Sequence, residues 1–220
     1  IVFLKKITNF SANNLQQLQI ALHLGTLLSI IVYYFNDIKS LFFNFNKNRQ
    51  FFSFIVLGTL PLIIIYLFFY DTIIKNILND VEVGFNIASY CILITGFILL
   101  ITKEFKTNTF KTLTYSTVLI IGFMQSLAIL PGISRSGITI CSALILGISS
   151  KEAAKFSFFL AIPAILGAGI LEVKDIIVDS NSGPFPYIGF ITSFIIGYIS
   201  LKLLISIIYK EKLWYFSIYC

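Results

Sequence analysis

Residues Gln125 to Ile140 read QSLAILPGISRSGITI, an apolar approach interrupted by Pro131, Gly132, Ser134, Arg135, Ser136 and Gly137 before apolar residues resume. The two sides of this interruption are unequal. The approach belongs to a long apolar stretch, Thr114 to Leu130. At about 1.5 Å per residue, the continuation from Ile138 to Ile148 covers only about half of a ~30 Å hydrocarbon core. How the interruption is placed relative to the membrane therefore decides the fold.

That the surroundings are a membrane follows from composition. Of the 220 residues, 57% are hydrophobic and 12% are charged, with a mean hydropathy of +0.92. A soluble domain carries about a quarter charged residues. The net charge of +6 and pI near 9.2 do not indicate nucleic acid, because the basic residues are dispersed singly between apolar runs rather than gathered on one face. Their expected role is orientation in the bilayer. Cys91, Cys141 and Cys220 lie in apolar surroundings at spacings that match no metal site and read as free, packed thiols. The chain begins at Ile1 and stops at Cys220 within an aromatic-rich run, and it reads as a piece trimmed at both ends of a single integral membrane domain.

The predicted fold is all-α, a polytopic helix bundle. Stretches long enough to cross are Leu18 to Phe35, Phe51 to Tyr70, Gly84 to Thr102, Thr114 to Leu130, Phe156 to Glu172 and Tyr187 to Tyr209. Between them the loops alternate in charge. Lys39, Lys47 and Arg49 mark one basic loop, Lys103, Lys106 and Lys111 a second, and Lys210 and Lys212 a third. The segments DTIIKNILNDVE and EVKDIIVDSNSG are acidic. The positive-inside rule places the basic loops in the cytoplasm and the acidic ones outside. An odd number of crossings must then separate Lys111 from Glu172. Two spans alone violate that parity. It is restored if Thr114 to Leu130 goes up, the short helix returns, and Phe156 to Glu172 goes up again. The Pro-Gly-x-Ser-Arg-Ser turn becomes the outward-facing tip of a re-entrant hairpin.

A second pattern concerns symmetry. QIALHLGTLLSI (Gln19 to Ile30) and FFLAIPAILGAGI (Phe158 to Ile170) share apolar residues around a small or helix-bending centre, and the charge rule runs them in opposite directions. This is the form of an inverted repeat, which places sites of broken helix at the repeat interface. It predicts a counterpart of the turn upstream of Ile1.

Irregular backbone at membrane depth is tolerated only where it is buried in protein or lines a wet cavity. An arginine there costs roughly 2.5–3.5 kcal/mol on the gentlest scale and calls for an anionic partner. Pro131 ends the incoming helix. Gly132 and Gly137 let backbone N–H groups approach a ligand, Ser134 and Ser136 offer hydroxyls, and the dipole of the short helix points at the same place. The plainer reading is a Pro-Gly break with capping serines and an arginine reaching for headgroups. The coincidence of arginine, serines, glycines and a truncated helix favours an oxyanion cradle fitted to phosphate.

Gln125 is either a polar group facing that cradle or interhelical glue. Thr139 either donates to a ligand or bonds back to its own helix. His23, the one histidine, reads as packed and neutral. Pro163 and Gly167 read as a kink and a close-packing point.

At GFMQSLAILPGISRSGITI the chain resembles the undecaprenyl-pyrophosphate phosphatases, the bacitracin-resistance proteins. Their second signature, Pro-Gly-x-Ser-Arg-Ser-Gly-x-Thr, is met at Pro131, Gly132, Ser134, Arg135, Ser136, Gly137 and Thr139. The resemblance extends through EAAKFSFFLAIPAILGA, IALHLGTLLSIIVYY and GTLPLIIIYLFF. It implies a multi-pass enzyme of the bacterial cytoplasmic (inner) membrane with an outward-facing site. Such an enzyme removes the terminal phosphate of the polyprenyl pyrophosphate carrier, with magnesium or calcium as cofactor, and so serves peptidoglycan synthesis. A homodimer is compatible with it.

The resemblance implies Arg135, Ser134 and Ser136 as catalytic residues. Gly132, Gly137, Thr139 and Gln125 would bind the substrate. The family's first signature, a Glu-rich stretch with Ser-Ser-Thr-Gly-His, is not in these residues and is expected upstream of Ile1. It carries the expected metal ligands and acid/base groups, so the piece alone is expected to be inactive. Whether a serine or water attacks stays open at this stage. A secondary transporter or lipid flippase built on an inverted repeat is the alternative.

Overall fold

The computed structural model describes residues 12–69, 80–104, 111–178 and 185–220. Regular structure among them is helical: α1 (Ala12–Tyr33), α2 (Phe35–Phe43), α3 (Phe45–Phe69), α4 (Val81–Ile101), α5 (Tyr115–Ser126), α6 (Arg135–Ile145), α7 (Ser150–Val178) and α8 (Tyr187–Tyr209). Short 3-10 turns follow α4, α5 and α8 at Thr102–Glu104, Leu127–Ile129 and Leu213–Ile218. Tyr70, most of the acidic loop after it, Lys106 and residues 179–183 lie outside the described residues.

Among the described residues four helices are long and apolar enough to cross a membrane: Asn48–Phe69, Glu82–Glu104, Ser150–Ile170 and Tyr187–Tyr209. The count is five if Gln17–Tyr33 and Phe35–Phe43, bent by 71° at Tyr34, form one span. The six spans expected from the sequence are thus too many among the described residues. The difference is local to Thr114–Leu130. Thr114 starts α5 with a reciprocal cap, its Oγ1 accepting the Thr117 N–H at 3.3 Å while Thr117 Oγ1 accepts the Thr114 N–H at 2.9 Å. Pro131 disfavours helical backbone at the residue before it, and Leu130 is extended at ψ 132°. What remains is a short apolar helix, Tyr115–Ile129, rather than a full span.

The chain divides into two compact units. The first takes in the described parts of Phe3–Asn48 and Ala161–Ile205. There α1 meets α8 where Gly25 and Gly197 remove side chains from the contact. A Cβ on Gly25 would collide with Ser193 Oγ, and Ser29 Oγ donates to the Phe194 carbonyl at 2.8 Å. Small residues at the contact are the usual way membrane helices approach closely.

The second unit, Arg49–Leu160 with Ser206–Cys220, contains the Pro-Gly-x-Ser-Arg-Ser turn. α5 and α6 pack against each other as short antiparallel arms joined at that turn. Their far ends also meet: the Lys111 N–H donates to the Gly147 carbonyl at 2.9 Å, and Lys111 pairs with Ile148 in an isolated parallel bridge. Gly147, at φ +88°, ends α6 in a left-handed conformation. There the Ile148 N–H reaches back to the Ala143 carbonyl at 3.0 Å. The long helices present Leu, Ile and Phe outward, whereas α6 is buried from Gly137 to Leu144. Enclosure of this kind places α6 in the interior of its unit.

Candidate active site

The turn is built against α4. Gly132 has φ +96°, and a Cβ there would collide with the Ala88 carbonyl and come within 2.9 Å of Cys91 Cβ. Only glycine combines that backbone conformation with that proximity. One helical turn further along α4, the buried Thr95 fastens the segment. Its Oγ1 accepts the Ser134 N–H at 3.2 Å and donates within a fork formed by the Cys91 carbonyl at 2.9 Å and the Gly132 carbonyl at 3.2 Å.

Ser134 then caps α6, its Oγ accepting the Gly137 N–H at 3.2 Å. Gly137 leaves room for that cap, since a Cβ on it would stand 3.0 Å from Ser134 Oγ. At a helix start the first N–H groups have no acceptor inside the helix. With Gly137 capped, the amides of Arg135 and Ser136 remain directed out of the helix start. Ser136 Oγ makes no hydrogen bond among the described residues.

Arg135 is half-buried, and its guanidinium folds back onto α5. Nε and Nη2 both donate to Gln125 Oε1, at 3.0 and 2.7 Å. Gln125 is fully buried, and its Nε2 donates to the Gly58 carbonyl on α3 at 3.5 Å, a long contact. This exchange is close because α3 and α5 touch backbone to backbone: a Cβ on Gly122 would collide with the Gly58 carbonyl. The guanidinium has five N–H donors and Gln125 accepts two of them. No carboxylate pairs with Arg135 among the described residues.

Thr139 faces away from the turn's opening. Its hydroxyl has the Arg135 and Ser136 carbonyls at 2.9 and 3.2 Å and shares a hydrogen bond with Ser157 Oγ of α7 at 2.6 Å. Both residues are buried. The structure thus gathers Gly132, Ser134, Arg135, Ser136, Gly137, Thr139 and Gln125 around one turn, with Gln125 against the arginine and Thr139 against α7. Sequence reasoning missed Thr95, Ser157 and Gly58. Each is a small residue in a largely apolar helix, and Thr95 is 39 residues from Ser134.

The donor set is cationic and hydroxylic, and its chemistry fits an anion rather than a divalent ion. Among the described residues no group of three or more His, Cys, Asp or Glu side chains gathers to hold a metal. His23 is half-buried on α1. Cys91 and Cys141 are buried free thiols, as expected, and Cys220 is a partly exposed one.

Comparison with known proteins identifies the family. The family profile "Bacitracin resistance protein BacA" matches residues 1–220. An undecaprenyl-diphosphatase of Halothermothrix orenii is 34% identical over 209 residues, covering 92% of this chain and 78% of that protein. One of Rhodopirellula baltica is 35% identical over 209 residues, with the same coverage of 92% and 78%. One of Methanosphaera stadtmanae is 33% identical over 221 residues, covering 90% of this chain and 78% of that protein. With residues 1–220 matched, the chain belongs to the bacitracin resistance protein BacA family.

Proposed function

We propose that the protein hydrolyses undecaprenyl diphosphate to undecaprenyl phosphate and inorganic phosphate, returning the lipid carrier to cell-wall synthesis and conferring bacitracin resistance. The names of the relatives support the substrate. The observation that carries the chemistry is Arg135, held by Gln125 with donors left over, beside the first amides and the serine hydroxyls of an α-helix start.

In this reading the terminal phosphoryl group lies against the guanidinium, the Arg135 and Ser136 N–H groups, and the Ser134 and Ser136 hydroxyls. Phosphoryl transfer asks a protein mainly for positioning and for stabilisation of charge on the transferring oxygens. An oxygen nucleophile attacks the terminal phosphorus in line, the bridging P–O bond breaks, and undecaprenyl phosphate leaves. Among the described residues no histidine or carboxylate is hydrogen-bonded to Ser134 or Ser136. In this reading the serines are donors and water is the nucleophile. Gly132 and Gly137 shape the approach, Gln125 aims the arginine, and Thr139 ties α6 behind it. Magnesium or calcium, which the resemblance implies, would be held by the carboxylates of the family's Glu-rich first signature.

The same reading places α5 and α6 as a re-entrant hairpin entering from the cytoplasmic side of the inner membrane, its tip in the outer half. Support comes from the shortness of both arms, the bridge joining Lys111 to Ile148 at their far ends, and the lysines Lys111, Lys151 and Lys155 near that base. The inverted repeat belongs to this proposal.

The test is release of inorganic phosphate from a prenyl diphosphate in detergent. It compares the chain as given with the chain fused behind the first-signature segment of a relative. The fusion should release phosphate and its Arg135→Ala variant should not, at equal expression. Near-normal turnover in that variant would remove the arginine clamp. Absence of release from the fusion, with transport of the lipid retained, would favour a carrier.

A further inference from the structure

We propose that Thr95 is a positioning residue for the Pro-Gly-x-Ser-Arg-Ser turn, setting from α4 the place of the Arg135 guanidinium through the Ser134 peptide. The inference rests on the phosphatase reading above but concerns a residue outside the signature.

Thr95 grips the turn on both sides of Ile133. Its oxygen takes the N–H of Ser134, and its proton lies between the Cys91 and Gly132 carbonyls. The gripped groups belong to the residue with positive φ and to the residue that caps α6. A turn of this kind has no hydrogen-bond ladder of its own. Its other internal bond, from the Ile133 N–H to the Leu130 carbonyl, is long at 3.3 Å. Ala88, Cys91 and Thr95 recur at helical spacing along α4 and form the bed beneath it, Ala88 and Cys91 by contact with Gly132 and Thr95 by hydrogen bonding.

A valine at position 95 has the shape of threonine without the hydroxyl. It would leave the Ser134 N–H buried without its acceptor while the packing stays filled. The displacement is passed to Arg135, the next residue, and small misplacements of a charge-stabilising group are felt most in the transition state. Thr95 touches no substrate group in this arrangement, so its loss should fall on kcat and leave KM nearly as it was.

Amide hydrogen exchange over residues 132–137, measured on the 220-residue chain in detergent, tests the grip without reference to turnover. Thr95→Val should raise exchange at Ser134 about tenfold, a local opening, with Thr95→Ser close to the wild type. Thr59→Val is the control. Thr59 is also buried, but its hydroxyl donates to Ile55 of its own helix at 2.7 Å, so exchange in the turn should not change.

In the form of the protein that releases phosphate, Thr95→Val should lower kcat about tenfold, Thr95→Ser should restore it, and KM should stay within about threefold. If the valine variant does not fold, Thr95→Cys, with its weak acceptor, should fall between serine and wild type on one side and full loss on the other. Unchanged exchange in Thr95→Val, raised exchange with unchanged kcat, or a serine variant as impaired as the valine one would each overturn the proposal. A wild-type fusion that releases no phosphate would count against the phosphatase reading, while the exchange measurement still decides the grip.

Discussion

The Arg135 guanidinium rests on a single oxygen of Gln125, with Nε at 3.0 Å and Nη2 at 2.7 Å. An amide oxygen orients the arginine without cancelling its charge, which a carboxylate at the same place would do. Gln125→Glu should therefore keep the arginine in position and weaken its hold on an anion, raising KM for the prenyl diphosphate. Gln125→Leu should release the arginine altogether. Hydrogen bonds to a charged group contribute about 1.5–3 kcal/mol, so a loss of roughly 10- to 100-fold in kcat/KM is expected. Steady-state phosphate release from the two variants checks both directions.

Arg135→Lys tests whether shape matters as well as charge. An ammonium cannot present two parallel N–H groups to Gln125 while offering others to a phosphoryl group. Expected turnover is within about tenfold of Arg135→Ala and far below wild type, since the planar fork is what the site is built around. Recovery to near wild-type rates would show that a point charge suffices.

Gly122 and Gly167 should respond in opposite ways to alanine. At Gly122 the new Cβ would collide with the Gly58 carbonyl, whereas at Gly167 no heavy atom lies within 4 Å among the described residues. Gly122→Ala is expected to destabilise by about 1–3 kcal/mol, the usual cost of overpacking. It should also reduce activity, because the Gly58 carbonyl is the acceptor for Gln125 Nε2. Gly167→Ala is expected to be neutral or to stabilise by up to about 1 kcal/mol through helix propensity. Thermal unfolding in detergent separates the two.

Thr139 and Ser157 share a 2.6 Å hydrogen bond between α6 and α7, both buried. Thr139→Val and Ser157→Ala should each destabilise by about 1–3 kcal/mol, because each leaves a buried partner behind. The double variant should cost less than their sum, with a coupling of about 0.5–3 kcal/mol. Strict additivity would show that the hydroxyls act independently.

Much of the fold was legible because a bilayer imposes length and composition on any helix that crosses it. Apolar runs marked α3, α4, α7 and α8, and their bounds agree with the expected spans to within a few residues at most ends. The bounds of Thr114–Leu130 agree with the observed helix Tyr115–Ile129, and what differs is that this length falls short of a full span. Thr114 caps one end and Pro131 closes the other, and both marks were already in the sequence. The bend at Tyr34 lies beside the expected end of a span at Phe35, but the polar residues after it do not form a loop as expected: Phe35–Phe43 is helical.

For the site, the sequence by itself determined the turn: a proline and two glycines, an arginine with no local partner, and serines placed to cap a short helix. These are properties of adjacent residues, so they follow from backbone stereochemistry and from the cost of a charge in an apolar run. Tertiary structure alone decided what holds the turn and where its groups point. Gln125 is committed to Arg135 across 10 residues, Gly58 to Gln125 across 67, and Thr95 to Ser134 across 39. Such contacts join helices whose patterns are each simply apolar. A buried threonine in one of them looks like any other until packing brings an unpaired peptide group within hydrogen-bond distance of it.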